Sequence, residues 1–283
     1  METTGEGGGG GERRLGLGFT DIETVAEELR RSEVFHIVKE VIGFALYMHS
    51  QIPSVLQNLE NEFAALKDEY KILVESVLTP TESKASIKRK HNTRKKEVHQ
   101  VIKRQEKLMN SISSLLSAFQ NALDEIPSIQ GVTLVLGGSL TRPLHVYEML
   151  FSHGSFDSGS STEFTQSKIA QAISRKAIRA LISSGAGSSY RGPSKLFLLV
   201  KCPCTLNLPL HFLPKRDFHH SKKVTPFRLH IKCKLPDQVF DGQYHNPPTS
   251  CSNSTLGSTL GDDIWYQCRH TVKGLACKAP KEC

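Results

Sequence analysis

Cys202-Pro203-Cys204, followed by His211, His219, His220 and Cys233, is where soft metal ligands gather in this sequence. A structural zinc site takes four N or S ligands, usually as two close pairs. Here the second pair would have to be assembled from scattered residues. Partly buried thiols and surface histidines account for them more simply. Leu136-Gly137-Gly138-Ser139 follows a β-branched run, where phosphate-binding turns occur, but it lacks the rest of Gly-x-Gly-x-x-Gly and the Lys-Ser/Thr of a phosphate loop. A structural turn is the expectation. No Gly-x-Ser-x-Gly elbow and no His-Glu-x-x-His pair occurs. We therefore expect no enzyme, no cofactor and no metal. A hydrolase or metalloenzyme built on residues 202–233 would require bound zinc.

The other chemically conspicuous feature is charge. The chain has 283 residues and a formal net charge of +8, from 36 Lys+Arg against 28 Asp+Glu. Residues 84–107 hold ten cations and two anions, which leaves 26 of each sign elsewhere. The excess thus belongs to one segment, which argues against a protein-wide nucleic-acid surface. Lys88, Arg89 and Lys90, then Arg94, Lys95 and Lys96, fit a nuclear import signal. Two other readings stay open: a solvated helix flank, and a DNA- or chromatin-binding module acting through 84–107. The latter lacks a stacking platform, since His91 is the only ring interleaved among those clusters. Nucleic acid is the less favoured partner class.

At 38% hydrophobic residues the chain can bury a core, and its length suits one large or two small domains. No apolar run approaches a membrane span of about 18 residues, and the start of the chain lacks the apolar stretch of a secretory signal. Seven cysteines, an odd count, are then expected to be reduced thiols of an intracellular protein. Asn253-Ser254-Thr255 is discounted as a glycosylation acceptor for the same reason.

The elements that must position any site read as follows. Residues 1–19 are a Gly-rich disordered tail. Thr20-Asp21-Ile22-Glu23 has capping-box spacing and predicts a helix start, with a break near Ser32 and continuation to Ser50 along Ile37, Val41, Ala45 and Met48. A second helix over about 53–77 carries Val55, Leu59, Phe63, Leu66, Tyr70, Leu73 and Val77 on one stripe, and Thr79-Pro80-Thr81 ends it. Residues 82–96 are expected to be a basic loop or frayed helix start. A third helix covers about 96–124, with Val98, Ile102, Gln105, Met109, Ile112, Leu116, Phe119 and Leu123 on its apolar face. Strands are expected at 132–136, 196–201, 227–233 and 264–272, and a helix at 165–183. Residues 236–262 form a flexible insert and 277–283 a tail. Helices first and strands mostly later argue for an α+β fold with a mainly antiparallel sheet, in a single domain over 20–276.

Three stretches carry a resemblance. They are Val132-Thr133-Leu134-Val135-Leu136-Gly137-Gly138-Ser139-Leu140 with Pro143 and Tyr147-Glu148, then Phe212-Leu213-Pro214-Lys215, then Asp262-Asp263-Ile264-Trp265-Tyr266-Gln267 with Lys273-Gly274. In this order and spacing the chain resembles the comet family, adaptors of the spindle-checkpoint protein Mad-two, and looks like a divergent, plant-type member. The likeness spans roughly residues 36–275, is firm at 132–150 and 262–274, and is thin in the helices. It implies a HORMA-like fold: three main helices packed on one face of an antiparallel sheet, with a C-terminal wrap-around strand.

What the resemblance implies about function is specific. Comet proteins bind closed Mad-two in a pseudo-symmetric HORMA dimer and present it to a hexameric AAA+ ATPase of the Pch-two class. The family's partner-facing helix matches Ser174 to Ile182. It places Arg175, Ile178, Arg179 and Ile182 at the interface, with Ile178 where the family has an aromatic anchor. Met48, after the matching Tyr47, stands where the family has Gln. Those two departures change the contact chemistry, since isoleucine offers no ring face and methionine no amide hydrogen bonds. Without the resemblance, Ile178 would flank the stripe Ile169, Ile173, Ala177 and Leu181, and Met48 would be core. Pro214 and Lys215 match the pair used toward the ATPase, although an ordinary turn would suit them as well. Ile264, Trp265 and Tyr266 fall in the wrap strand, with Trp265 as a core anchor. The implied roles are checkpoint silencing in mitosis and turnover of meiotic axis HORMA proteins. The implied location is the nucleus, with chromosome association and a cytoplasmic pool in mitosis.

Overall fold

A computed structural model of the chain describes residues 18–24, 28–75, 85–126, 128–152, 167–187, 192–221, 223–233 and 263–275. Most of the Gly-rich tail, Thr79-Pro80-Thr81, the whole 236–262 insert and the final tail lie outside these residues.

The centre of the fold follows from two strands that are apolar on both sides. In β2 (Gly131–Ser139), Val132, Leu134 and Leu136 join the main core, whereas Val135 joins a smaller cluster with Val146, Phe197 and Leu199. β4 (Lys195–Pro203) repeats the pattern, with Leu196, Leu198, Val200 and Cys202 on one face and Phe197 and Leu199 on the other. Successive side chains on a strand point to opposite faces, so both faces of this sheet are covered. β2 pairs antiparallel with β3 (Arg142–Ser152) on one side and with β4 on the other. The register shifts at Gly137, where a Cβ would lie 2.5 Å from the Arg142 carbonyl oxygen, so only glycine fits this bulge.

β3 is a strand the sequence did not predict. Pro143 and the helix formers Leu144, Glu148 and Met149 obscure it. Pro143 is tolerated because the parallel ladder to β6 (Phe227–Lys232) begins only at Tyr147, so it interrupts no bond on that side. The sheet is completed by β1 (Thr20–Glu23), β5 (Phe212–Lys215), β7 (Asp263–Cys268) and the short β8 (Val272–Lys273). The strand order is β1-β6-β3-β2-β4-β7-β5, with β8 also on β4. The pairs β1–β6 and β3–β6 are parallel, and the other described pairs are antiparallel. The fold is therefore α+β with a mainly antiparallel open sheet.

The expected helix start at Thr20 is a strand. Ile22 is buried opposite Ile231, and the Asp21 carboxylate accepts from Lys232 at 2.7 Å, so pairing with β6 wins over the capping-box pattern. The helix begins later, as α1 (Arg31–Met48), where the Arg30 backbone N–H donates to the Glu33 carboxylate at 3.0 Å. Ile37, Val41 and Ala45 are fully buried, as their spacing predicts. α2 (Leu56–Glu75) does not lie on the sheet. Leu59 is its only buried residue, and it packs along α3.

α3 (Ala85–Glu125) is 41 residues long and takes in residues 85–96 of the segment expected as a basic loop or frayed helix start. Tertiary contacts with α2 override the lack of apolar residues there. His91 bonds the Leu73 carbonyl oxygen at 2.9 Å, Arg94 pairs with Glu69 at 2.6 Å, and the His99 ring stacks on Tyr70. α4 (Lys168–Ser183) follows an N-cap Ser167 whose Oγ accepts from the Ala170 N–H and donates to Glu33, tying the starts of α1 and α4 together. The helices on the sheet are thus α4 over β1 and β6, α1 beside it, and the second half of α3 over β7 and β8. Among the described residues no helix is long and apolar enough to cross a membrane.

Candidate functional site

The outer face of α4 carries the residues that could meet a partner. Ala170, Ile173, Ser174, Ala177 and Leu181 are buried toward α1 and the sheet. At about 100° per residue, Arg175, Ile178, Arg179 and Ile182 then share the outward face. Ile178 is half-buried, Arg175 and Arg179 are exposed, and Ile182 is 53% exposed. Ile178 lines a groove of about 580 Å³ together with Phe44 and Tyr47 of α1 and Val55 and Leu56 at the start of α2. Tyr47 and Val55 are each 44% exposed. Met48 lies instead against the turn after α4, where its Cε would be 2.8 Å from a Cβ at Gly187. The family resemblance marked Met48, which periodicity assigned to the core, and passed over Phe44, Tyr47 and Val55 as site residues. The signal that could have found them is apolar residues just off a buried stripe on two neighbouring helices. Lys39, Glu40 and Glu60 line the groove as well, and an apolar patch bordered by charged residues is the composition of a protein–protein interface.

Pro214 and Lys215 end the edge strand β5, so they are not a turn. Both are exposed and line a shallow depression of about 410 Å³ with Leu140, Thr141, Arg216, Asp217, Phe218 and His219. A proline is accommodated there because an edge strand needs no outward N–H donor.

The C-terminal strand is held inside the sheet. β7 pairs with β4 on one side and β5 on the other, and β8 continues along β4. Ile264 and Tyr266 face the main core, and the Tyr266 hydroxyl donates to the Cys204 carbonyl oxygen at 3.0 Å. Trp265 points to the opposite face. It is half-buried against the smaller cluster, edge-on to Phe218, so it anchors that cluster and not the core under the helices.

Gln51 fastens this strand to the body. Its amide donates to the His49 and Gly192 carbonyl oxygens, its Oε1 accepts from the Ser194 N–H at 2.6 Å, and its backbone oxygen accepts from the Leu275 N–H. Gly274 passes so close that a Cβ would clash with the Gln51 Oε1 and lie 2.9 Å from its Cβ and Cδ.

Beside it, His49 and Tyr147 share a buried 2.6 Å hydrogen bond, and the His49 ring stacks on His145 with centroids 3.7 Å apart. Burial, assisted by His145, lowers the His49 pKa from 6.5 to about 4. The folded ring is therefore neutral at a pH where the unfolded ring is protonated. The unfolded chain binds more protons between those two values, so stability falls as pH drops from about 6.5 toward 4. Thermal unfolding across that range should show this slope, and His49→Phe should flatten it.

The candidate zinc ligands are not brought together. Cys202 and Cys233 are buried in the main core, and burial pushes the Cys202 thiol up to about 12, which keeps it protonated. His211 contacts His270, and His220 contacts Glu148. Among the described residues no three His, Cys, Asp or Glu side chains converge on a possible metal position. Neither a protein-family model nor a curated protein matches this chain.

Proposed function

We propose that this chain is a non-enzymatic adaptor with a HORMA-like fold. It binds a closed HORMA protein, of the Mad-two type or the meiotic axis type, and delivers it to a hexameric AAA+ ATPase of the Pch-two class. The client docks on the outer face of α4 and the α1 groove, through Ile178 and Ile182 within a rim of Arg175 and Arg179, with Tyr47 and Met48 alongside. Pro214 and Lys215 face the ATPase. Energy comes from ATP hydrolysis in that partner. The outcome is checkpoint silencing and meiotic axis turnover in the nucleus, with import through Lys88, Arg89, Lys90, Arg94, Lys95 and Lys96.

One observation carries this reading. α4 lies over β1 and β6 at one edge of the sheet, and Pro214-Lys215 lie on β5 at the other edge. Five to six strand spacings of about 4.8 Å separate them, roughly 24–29 Å. A bound client therefore leaves the second surface open, which an adaptor needs. The buried C-terminal strand supports the same reading, because contacts through helices leave the sheet undisturbed.

The test is conversion of a closed HORMA client to its open form by the ATPase and ATP, with and without this chain. The chain should accelerate conversion. Lys215→Glu should slow the accelerated rate at least about tenfold, the effect of losing one interface anchor, with client affinity unchanged. No acceleration by the wild-type chain would sink the delivery role, and a full rate with Lys215→Glu would displace the ATPase contact from this surface.

A further inference from the structure

The basic segment lies in one continuous helix, α3, and the arrangement of its charges points to a ligand that the adaptor reading does not use. Along α3, Val98, Ile102, Gln105 and Leu108 are buried. At about 100° per residue, Arg89, Lys96, Lys103 and Lys107 fall on one line about 180° from that buried face. All four are exposed. Their spacings of seven, seven and four residues put them about 10.5, 10.5 and 6 Å apart, over about 27 Å, at a rise of about 1.5 Å per residue. The two anions of the segment, Glu97 and Glu106, stand to either side of the line. Arg94 turns away toward α2 and is neutralised by Glu69. The acidic residues of α2 therefore do not quench the outward row.

We propose that this row binds the phosphate backbone of duplex DNA without reading its sequence. A rigid line of four cations about 27 Å long matches about eight base-pair steps of about 3.4 Å. No aromatic ring lies on the outward line, so single strands, which bind by base stacking, fit poorly. The row extends eleven residues past Lys96, the last residue of the import cluster, so import alone does not account for it. The chain thereby gains a chromatin-facing side on an arm that leaves the α4 groove and Pro214-Lys215 free. The inference is independent of the adaptor role.

The experiment measures fluorescence anisotropy of a labelled duplex of about 24 base pairs, titrated with the full-length protein between about 50 and about 200 mM salt. The expected Kd is in the range of about 10⁻⁴–10⁻⁶ M near physiological salt, with a slope of log K against log salt of about −4, near −0.9 per phosphate contact. Changing Arg89, Lys96, Lys103 and Lys107 together to Gln should weaken binding at least tenfold and bring the slope close to zero. A control with the same charge loss, Lys168→Gln, Lys195→Gln, Lys223→Gln and Lys273→Gln, should bind within about threefold of wild type. Circular dichroism verifies that both variants fold. Equal weakening in the two variants would reduce the effect to net charge and overturn the proposal. So would wild-type binding that is undetectable at about 50 mM salt, or displacement by poly-glutamate as readily as by unlabelled duplex.

Discussion

Gln51→Ala is expected to lower the unfolding free energy by about 3–5 kcal/mol and to loosen the C-terminal strand first. Gln51 is 2% exposed. Its removal leaves the Ser194 N–H and the His49 carbonyl oxygen without their side-chain partner in a buried site, at about 1–3 kcal/mol for each buried polar group, and adds a cavity. At about 2–4 °C per kcal/mol for a domain of this size, the midpoint should fall by roughly 6–20 °C. The amides of Gly274 and Leu275, which bond the Ser194 and Gln51 carbonyl oxygens, should lose hydrogen-exchange protection before those of β2. A Gln51→Ala midpoint within about 2 °C of wild type would show that the ladders of β7 and β8 hold the strand without this fastening. Gln51→Glu should do no better, because a carboxylate cannot donate to the His49 and Gly192 oxygens.

Ile178→Asp is expected to abolish most client affinity, by at least about 30-fold, while leaving the fold intact. The residue is half-buried and lines the groove between α4, α1 and the start of α2. A carboxylate there loses the apolar contact and must shed water in the complex, a cost that Lys39 of the groove and the flanking arginines offset only in part, at about 2 kcal/mol or more, where about 1.4 kcal/mol is tenfold. Ile182→Asp, at a more exposed position one turn on, should weaken binding less and in the same direction. Ile178→Phe places a ring where the comet family, which the chain resembles, carries one, and should tighten binding by about 0.5–1 kcal/mol. Affinities that are equal across all three variants would remove α4 as the docking surface.

What the sequence disclosed depended on how far each element relied on its own periodicity. α1, α4 and the second half of α3 were legible because their apolar stripes meet the sheet, and β2 and β4 because both faces are covered. Three elements were hidden for distinct reasons. Thr20–Glu23 carries a helix-start pattern, yet it pairs with a strand some 200 residues away. β3 contains Pro143 and helix formers, so only its neighbours make it a strand. The basic start of α3 has almost no apolar residues and is held by α2, through His91, Arg94 and His99. Of the candidate site, the outer face of α4 and Pro214-Lys215 could be named from residue matches. Tyr47, Phe44 and Val55 could not, because a groove between helices exists only once the helices are packed.

The adaptor reading rests on recognition of a closed HORMA protein, and calorimetric binding of the folded full-length chain measures that directly. Purified closed Mad-two and a purified meiotic axis HORMA protein would each be titrated, with Ile178→Asp run in parallel. The expected result is saturable binding to at least one of the two, reduced at least about 30-fold by Ile178→Asp. Binding to neither client by the folded wild-type chain would contradict it.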